Sequence, residues 1–246
     1  VRRLIIDNAS GVQSGAGVTL SRATTINKEL VLSDGFLQTS ATNMITIVDG
    51  AGAIATGNSF VAGPMRKTGR SAFTFPTGWS GIDGGRIPIG ISSMSEASTI
   101  QAEYKRAPAT NKGSTINAPL HHISYCEYWE MFPTTGSPKA IVTMYRNSHS
   151  NCNPVSVVQD LFTFRVARSD GTAWIDIGNE DGSMSSGTGY VISDSTGVSI
   201  NSTDRYYALG NISSSRDPLP VLYDSVTAYV KNGGVNVEWS NLTERD

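Results

Sequence analysis

The residues of this chain that could do chemistry are few: two cysteines, three histidines, four tryptophans and one short run of oxygen-bearing side chains. Cys126 and Cys152 are the only cysteines. An even count in a chain of extracellular composition favours a disulfide closing a loop of about 26 residues, worth on the order of 3 kcal/mol by chain-entropy reckoning. Two independent buried thiols, or half of a metal site, are the alternatives. A metal would need two more ligands. His121 and His122 are adjacent, so on a regular strand their side chains face opposite ways and do not readily share one ion, and His149 lies in a loop near Cys152. The histidines therefore read as polar surface.

Asp176, Asn179, Glu180 and Asp181-Gly182 supply oxygens that could hold calcium. Their spacing does not match the twelve-residue calcium loop, whose first position would fall on Ile177, and a plain Asp-Gly turn is the competing reading. Trp79 stands in a glycine-rich loop and could form a stacking platform for a sugar ring. Trp129 and Trp174 sit in alternating segments and read as core. No nucleophile elbow, phosphate-cradling loop or H-E-x-x-H helix occurs. Among 21 acidic residues any two could meet as a glycosidase pair, but such short loops leave little room for a lined cleft, so no catalysis is expected. Calcium is the one cofactor kept open.

The elements that must position these residues are strands. Between residues 12 and 48, Val18/Leu20, Thr24/Ile26, Leu30/Leu32 and Phe36/Leu37 recur about every six residues with Gly, Asn, Ser or Asp between them. That spacing suits two- or three-residue strands turning corners, as in a parallel β-helix, with a short-stranded meander as the alternative. Only two or three coils would fit, so the stack is expected to continue upstream. The seam Ser59–Gly78 comes next, with Phe73 and Phe75 on one face of a strand and Arg66, Lys67 and Arg70 read as solvated charges guarding an exposed edge. Beyond it, Thr99–Tyr104, Glu127–Phe132, Ala140–Tyr145, Leu161–Ala167, Ala173–Ile177, Tyr190–Ile192, Val198–Ile200 and Tyr206–Gly210 alternate with a period of two, the mark of an antiparallel sandwich. Ser213–Pro218 reads as a linker. Val221–Val230 and Val235–Trp239 then flank Lys231-Asn232-Gly233-Gly234, a hairpin signal.

Only 16 % of residues are charged and the net charge is −2, with Ser, Thr, Gly and Asn filling the polar positions as in extracellular β proteins. No basic stripe suits nucleic acid, and no apolar run approaches the ~20 residues that span a bilayer. The chain has no initiator Met, signal peptide or lipidation box at its start, as expected of a fragment or a processed product.

The series SFVAGPMRKTGRSAFTFPTG, PIGIS, QAEYKR, HHISYCEYWEMF, FRVARSDGTAWIDIGN, YYALGN and PLPVLYDSVTAYVKNGGVNVEWSNLTERD resembles the C-terminal part of large surface and secreted proteins that Bacteroidota export by the type IX secretion system. The likeness covers nearly the whole chain. It implies an all-β chain: the end of a short parallel β-helix over residues 1–62, a β-sandwich over 63–212, a linker at 213–218 and the first strands of an immunoglobulin-like domain over 219–246. The pattern departs at the end, where no sorting signal appears. Asp194-Ser195-Thr196 and Asp224-Ser225-Val226 resemble the O-glycosylation sequon of such proteins, which makes Ser195 and Ser225 candidate modification sites.

The function this implies is that of a non-catalytic structural or adhesive module of an exported cell-surface protein or filament, with other copies or other chains as partners. The alternative is a carbohydrate-binding module with Trp79 at its platform. A hydrolase appended to a surface anchor is a third class and would need a carboxylate pair at ~5 to 9.5 Å in a cleft.

Overall fold

The computed structural model describes residues 1–8, 17–81, 84–150, 161–185, 188–213, 223–231 and 234–241. Its first strands are short: β1 (Arg3–Asp7), β2 (Val18–Thr19), β3 (Thr24–Ile26), β4 (Glu29–Asp34), β5 (Phe36–Gln38), β6 (Ile45–Ile47), β7 (Gly52–Ala55), β8 (Phe60–Ala62), β9 (Met65–Gly69), β10 (Phe73–Phe75) and β11 (Thr77–Trp79), and all of them but β10 stack in parallel. They build three ladders, β1-β4-β7, β2-β5-β8-β11 and β3-β6-β9. Every pairing described between residues 1 and 62 is parallel. Like residues stack on like, because in-register parallel pairing carries each apolar position onto the next layer. Ile26 lies beside Ile47, and Ile45 beside Met65; Leu37 lies between Val18 and Val61. Phe36 stacks on Phe60 with centroids 5.5 Å apart. Ile26, Leu30, Leu32, Leu37, Ile45 and Ile47 are fully buried, each worth roughly 1.5–3 kcal/mol of transfer free energy.

Strands paired mainly antiparallel, several of them longer, come after these: β12 (Gly85–Arg86), β13 (Ile89–Ser92), β14 (Ser98–Lys105), β15 (Thr115–Ile116), β16 (His122–Ile123), β17 (Tyr128–Thr135), β18 (Lys139–Arg146), β19 (Phe164–Ser169), β20 (Ala173–Asp176), β21 (Asp181–Ser185), β22 (Thr188–Ile192), β23 (Val198–Ser199) and β24 (Tyr206–Asn211). Two sheets result. One runs β10-β13-β18-β22-β21, with β23 on β18; the other runs β15-β20-β19-β24-β17-β14-β9-β6-β3, with β16 on β24. The period-two pattern explains the sandwich-like layering directly. In β14 the sequence STIQAEYK buries every second side chain, and in β19, β24 and β17 neighbouring residues divide between two apolar clusters on opposite faces. The larger cluster runs without a break from Ile6 and Leu32 through Met65 and Phe75 to Trp129, Met144, Val191 and Leu209. Trp129 and Trp174 are core, as their alternation implies, and each indole N–H reaches a backbone carbonyl, of Ile87 and Gly113. Of the expected strand Leu161–Ala167, the first three residues instead form a 3₁₀ turn.

The seam is one strand doing two jobs. β9 pairs in parallel with β6 on one side and antiparallel with β14 on the other, so the ladders pass into the sandwich inside one sheet. This corrects the reading of Lys67 as solvated, whereas Arg66 is half-buried and Arg70 is exposed. Lys67 is only 2 % exposed, 3.3 Å from the Asp49 carboxylate and over the Phe73 ring. Arg66 donates to Gln101 and Arg70 to the Met94 carbonyl. Asp49 also accepts the Arg70 amide and both the amide and hydroxyl of Ser71. Gly69 makes this possible: its φ is +100°, and a Cβ there would stand 2.1 Å from the Asp49 Cγ. The Ser71 hydroxyl and amide, then Lys67, hold the Asp49 carboxyl well below the usual carboxylate range.

The hairpin forms as its turn signal implies, from β25 (Tyr223–Lys231) and β26 (Gly234–Asn241) paired antiparallel. Its described side chains are all exposed, among them Tyr229, Val230, Val235 and Val237. No third strand joins this sheet among the described residues. Residues 12–16, the linker residues 214–218, Leu219–Leu222 and the turn pair Asn232-Gly233 lie outside the described residues, as does the Trp239 side chain.

Candidate functional site

The best-formed site gathers around Trp79. This residue ends β11, which is fixed on both edges, in parallel by β8 and antiparallel by β12. The indole is 40 % exposed, the largest aromatic ring among the described residues to be so presented. Two glycines let the chain fold around it: a Cβ on Gly81 would meet the indole nitrogen at 2.3 Å, and one on Gly84 would meet the Trp79 carbonyl at 1.9 Å. The ring borders an open groove of about 270 Å³ that also touches Gln38, Glu103, Tyr104, Lys105 and Tyr128.

The groove wall is tightly held. The Tyr104 hydroxyl donates to the buried Glu127 carboxylate at 2.8 Å, and its ring meets Trp129 edge-on. Tyr128 packs edge-on against Tyr206, with the Lys112 ammonium over both rings, at 5.8 and 4.9 Å. Burial, then Glu130, Tyr206 and Glu103 nearby, push the Tyr128 phenol up. Glu103 pairs with Lys105 at 2.6 Å, and the Gln38 amide donates to the Ala62 carbonyl. The arrangement offers a flat exposed ring beside fixed donors and acceptors, which is what stacking and hydrogen bonding to a polyhydroxylated ring require. Nothing in the sequence marks Tyr104 and Tyr128 as groove residues, since only the pairing of β14 with β17 brings them to Trp79.

A second cleft of about 370 Å³ opens where the ladder β1-β4-β7 ends. Ala53 and Ala55 of β7 line it with Pro76, Pro88, Arg86 and Tyr145. The Arg86 guanidinium donates to the Ala55 carbonyl.

The other sequence candidates are scattered. Cys126 is buried and no free cysteine occurs among the described residues, whereas Cys152 lies outside them. Asp176 pairs with Arg165 at 3.2 Å and accepts the Gly178 amide; Asn179 donates to the Phe164 carbonyl; Asp181 accepts the Gly182 amide. No group of three or more His, Cys, Asp or Glu side chains is assembled for a metal among the described residues. Ser195 is exposed in a turn and Ser225 is exposed on β25. The His149 ring packs over Gly85, whereas the other two histidines lie at the start of β16. Those two are not splayed apart: the Nδ1 atoms of His121 and His122 lie 3.5 Å from each other.

No protein-family model matches the chain, and neither a curated protein nor a solved structure is detectably similar to it. No helix among the described residues is long and apolar enough to cross a membrane.

Proposed function

We propose that the chain is a non-catalytic structural or adhesive module of an exported surface protein, its N-terminal ladders being the last coils of a β-helical stalk and the sandwich the piece that closes it. The observation that carries this reading is the shared strand β9, through which the stalk and the sandwich share one sheet and one apolar core. Such continuity suits a part that must transmit force without a hinge. In the same reading, Cys126 and Cys152 are cross-linked, Ser195 and Ser225 are the glycosylated hydroxyls, and calcium, if bound, belongs to Asp176, Asn179 and Asp181. The hairpin opens an immunoglobulin-like domain, and its exposed valines are covered by another copy or another chain. A place on the cell surface goes with this reading and rests on the resemblance of the sequence segments quoted above to type IX cargo of Bacteroidota.

Intact source cells treated with an antibody to this chain and a non-permeant protease test that placement. Labelling and cleavage before lysis are expected, and reactivity only after lysis overturns it. Light scattering on the purified chain tests the covered hairpin, which a strict monomer would exclude.

One observation favours a second reading: the exposed Trp79 ring beside the fixed Tyr104 and Tyr128 groove. In this reading the groove binds a glycan, and the chain is a carbohydrate-binding module of a secreted polysaccharide-active protein. A glycan array should show signal that Trp79→Ala abolishes while the circular dichroism spectrum is retained. Signal unchanged in the variant removes the groove from consideration.

A further inference from the structure

We propose that His121 and His122 form a two-imidazole chelate for a tetrahedral divalent transition ion of the zinc type, bound through the Nδ1 atom of each ring. The backbone explains why neighbours in sequence converge. His122 opens β16 opposite Asn211 of β24, but His121 lies just before the strand, and its amide donates to the Asn211 carbonyl at 2.8 Å. The alternation of a regular strand therefore does not reach His121. The two rings stand nearly perpendicular, at 84°, with centroids 5.7 Å apart and the two Nδ1 atoms 3.5 Å apart.

That separation is the relevant one. Zinc–nitrogen bonds of about 2.0–2.1 Å meeting at a tetrahedral angle put their nitrogens roughly 3.3–3.4 Å apart, so an ion enters with only a small closing or opening of the pair. In the absence of an ion, one Nδ1–H can donate to the other ring. His121 is exposed, so the ion has a path in from solvent. Among the described residues no group of three or more His, Cys, Asp or Glu forms here, so the two imidazoles are the ligands that this structure places.

Calorimetric titration of zinc chloride into the chelator-treated, non-reduced full chain at pH 7.5 should show one saturable site. His121→Ala, at an exposed position outside the ladder, is expected to weaken it roughly tenfold or more, as the loss of a direct ligand must exceed the 10–100-fold cost typical of supporting residues. His149→Ala should leave it unchanged. Imidazole nitrogen chemical shifts on zinc addition give a second readout that does not depend on a variant folding, and Nδ1, not Nε2, should move in two rings. Absence of saturable binding, binding retained in His121→Ala, or shifts confined to His149 would each overturn the proposal.

Discussion

The short strands of the N-terminal ladders bury much of the core, whereas the long strands of the hairpin are exposed. Strands of two to six residues in β1 to β8 carry Ile26, Leu30, Leu32 and Leu37 at full burial, whereas the nine- and eight-residue strands of the hairpin leave every described side chain in water. Both regions show clean β patterning. The difference teaches that ladder length supplies hydrogen bonds, which largely exchange with water, and that it is the second layer behind a strand that supplies net stability. Substitutions in both regions and at the seam between them put that contrast to the test.

The largest effect is expected at Ile26. Ile26→Asp places an unpaired charge in the core and should cost about 3–5 kcal/mol. Because β9 and the apolar cluster are shared, the ladders and the sandwich should be lost in one transition. Hydrogen exchange showing the sandwich protected while residues 18–62 exchange freely would mean that the two regions are energetically separate.

Next comes the ion pair at the seam, between the buried Lys67 and the exposed Asp49. Asp49→Asn leaves the Lys67 ammonium buried without its counter-charge and should lower the thermal midpoint, while adding Lys67→Met should recover part of the loss, since removing both charges removes the desolvation cost. A double variant less stable than Asp49→Asn would show that the cation contributes through its carbonyl and ring contacts instead. Acid should expose the same latch. Asp49 titrates below its ordinary value of 3.8 in the folded chain, and Asp170, held by the Thr172 hydroxyl and amide and then the Ala173 amide, is brought down to about 2. A depressed carboxyl stabilises the fold above its unfolded value and loses that contribution as pH falls towards the folded one. Thermal midpoints should therefore fall between about pH 4 and pH 2, less steeply in Asp49→Asn than in the parent; parallel profiles would acquit Asp49.

The smallest effect is expected in the hairpin. Val230→Thr and Val235→Thr should change the stability of the main transition by no more than about 0.5 kcal/mol, because neither residue touches a core. A larger loss in concentrated protein than in dilute protein would show a partner covering this face.

Much of the fold could be read in the order of residues. The six-residue recurrence at Val18, Thr24, Leu30 and Phe36 marks four of the first five strands, and the alternation of QAEY, EYWEMF and AIVTMY marks β14, β17 and β18, because burial on one face of a strand imposes a period of two or a short repeat. Pairing was not legible. Nothing local in MRKTG distinguishes a guarded edge from a strand with a neighbour on each side, and the Asp49 that justifies burying Lys67 lies 18 residues away. Trp79 could be singled out since glycine-rich loops expose what they carry, but its groove partners arrive from β14 and β17 across a sheet. For the histidines the rule of alternation failed at one residue, where the strand had not yet begun.

The cleft beside β7 has a bearing on solubility. A stack of parallel strands is a template for its own extension, and each ladder must end somewhere. One ladder ends in the sandwich, another is closed by the antiparallel β12, and β1-β4-β7 stops at β7 with no further strand beside it among the described residues. There the Arg86 guanidinium occupies the Ala55 carbonyl, and Pro76 and Pro88, which have no amide proton to offer, line the adjoining space. A stray β-segment approaching this side meets a cation and two residues unable to donate, which makes the flank a poor template for a further strand.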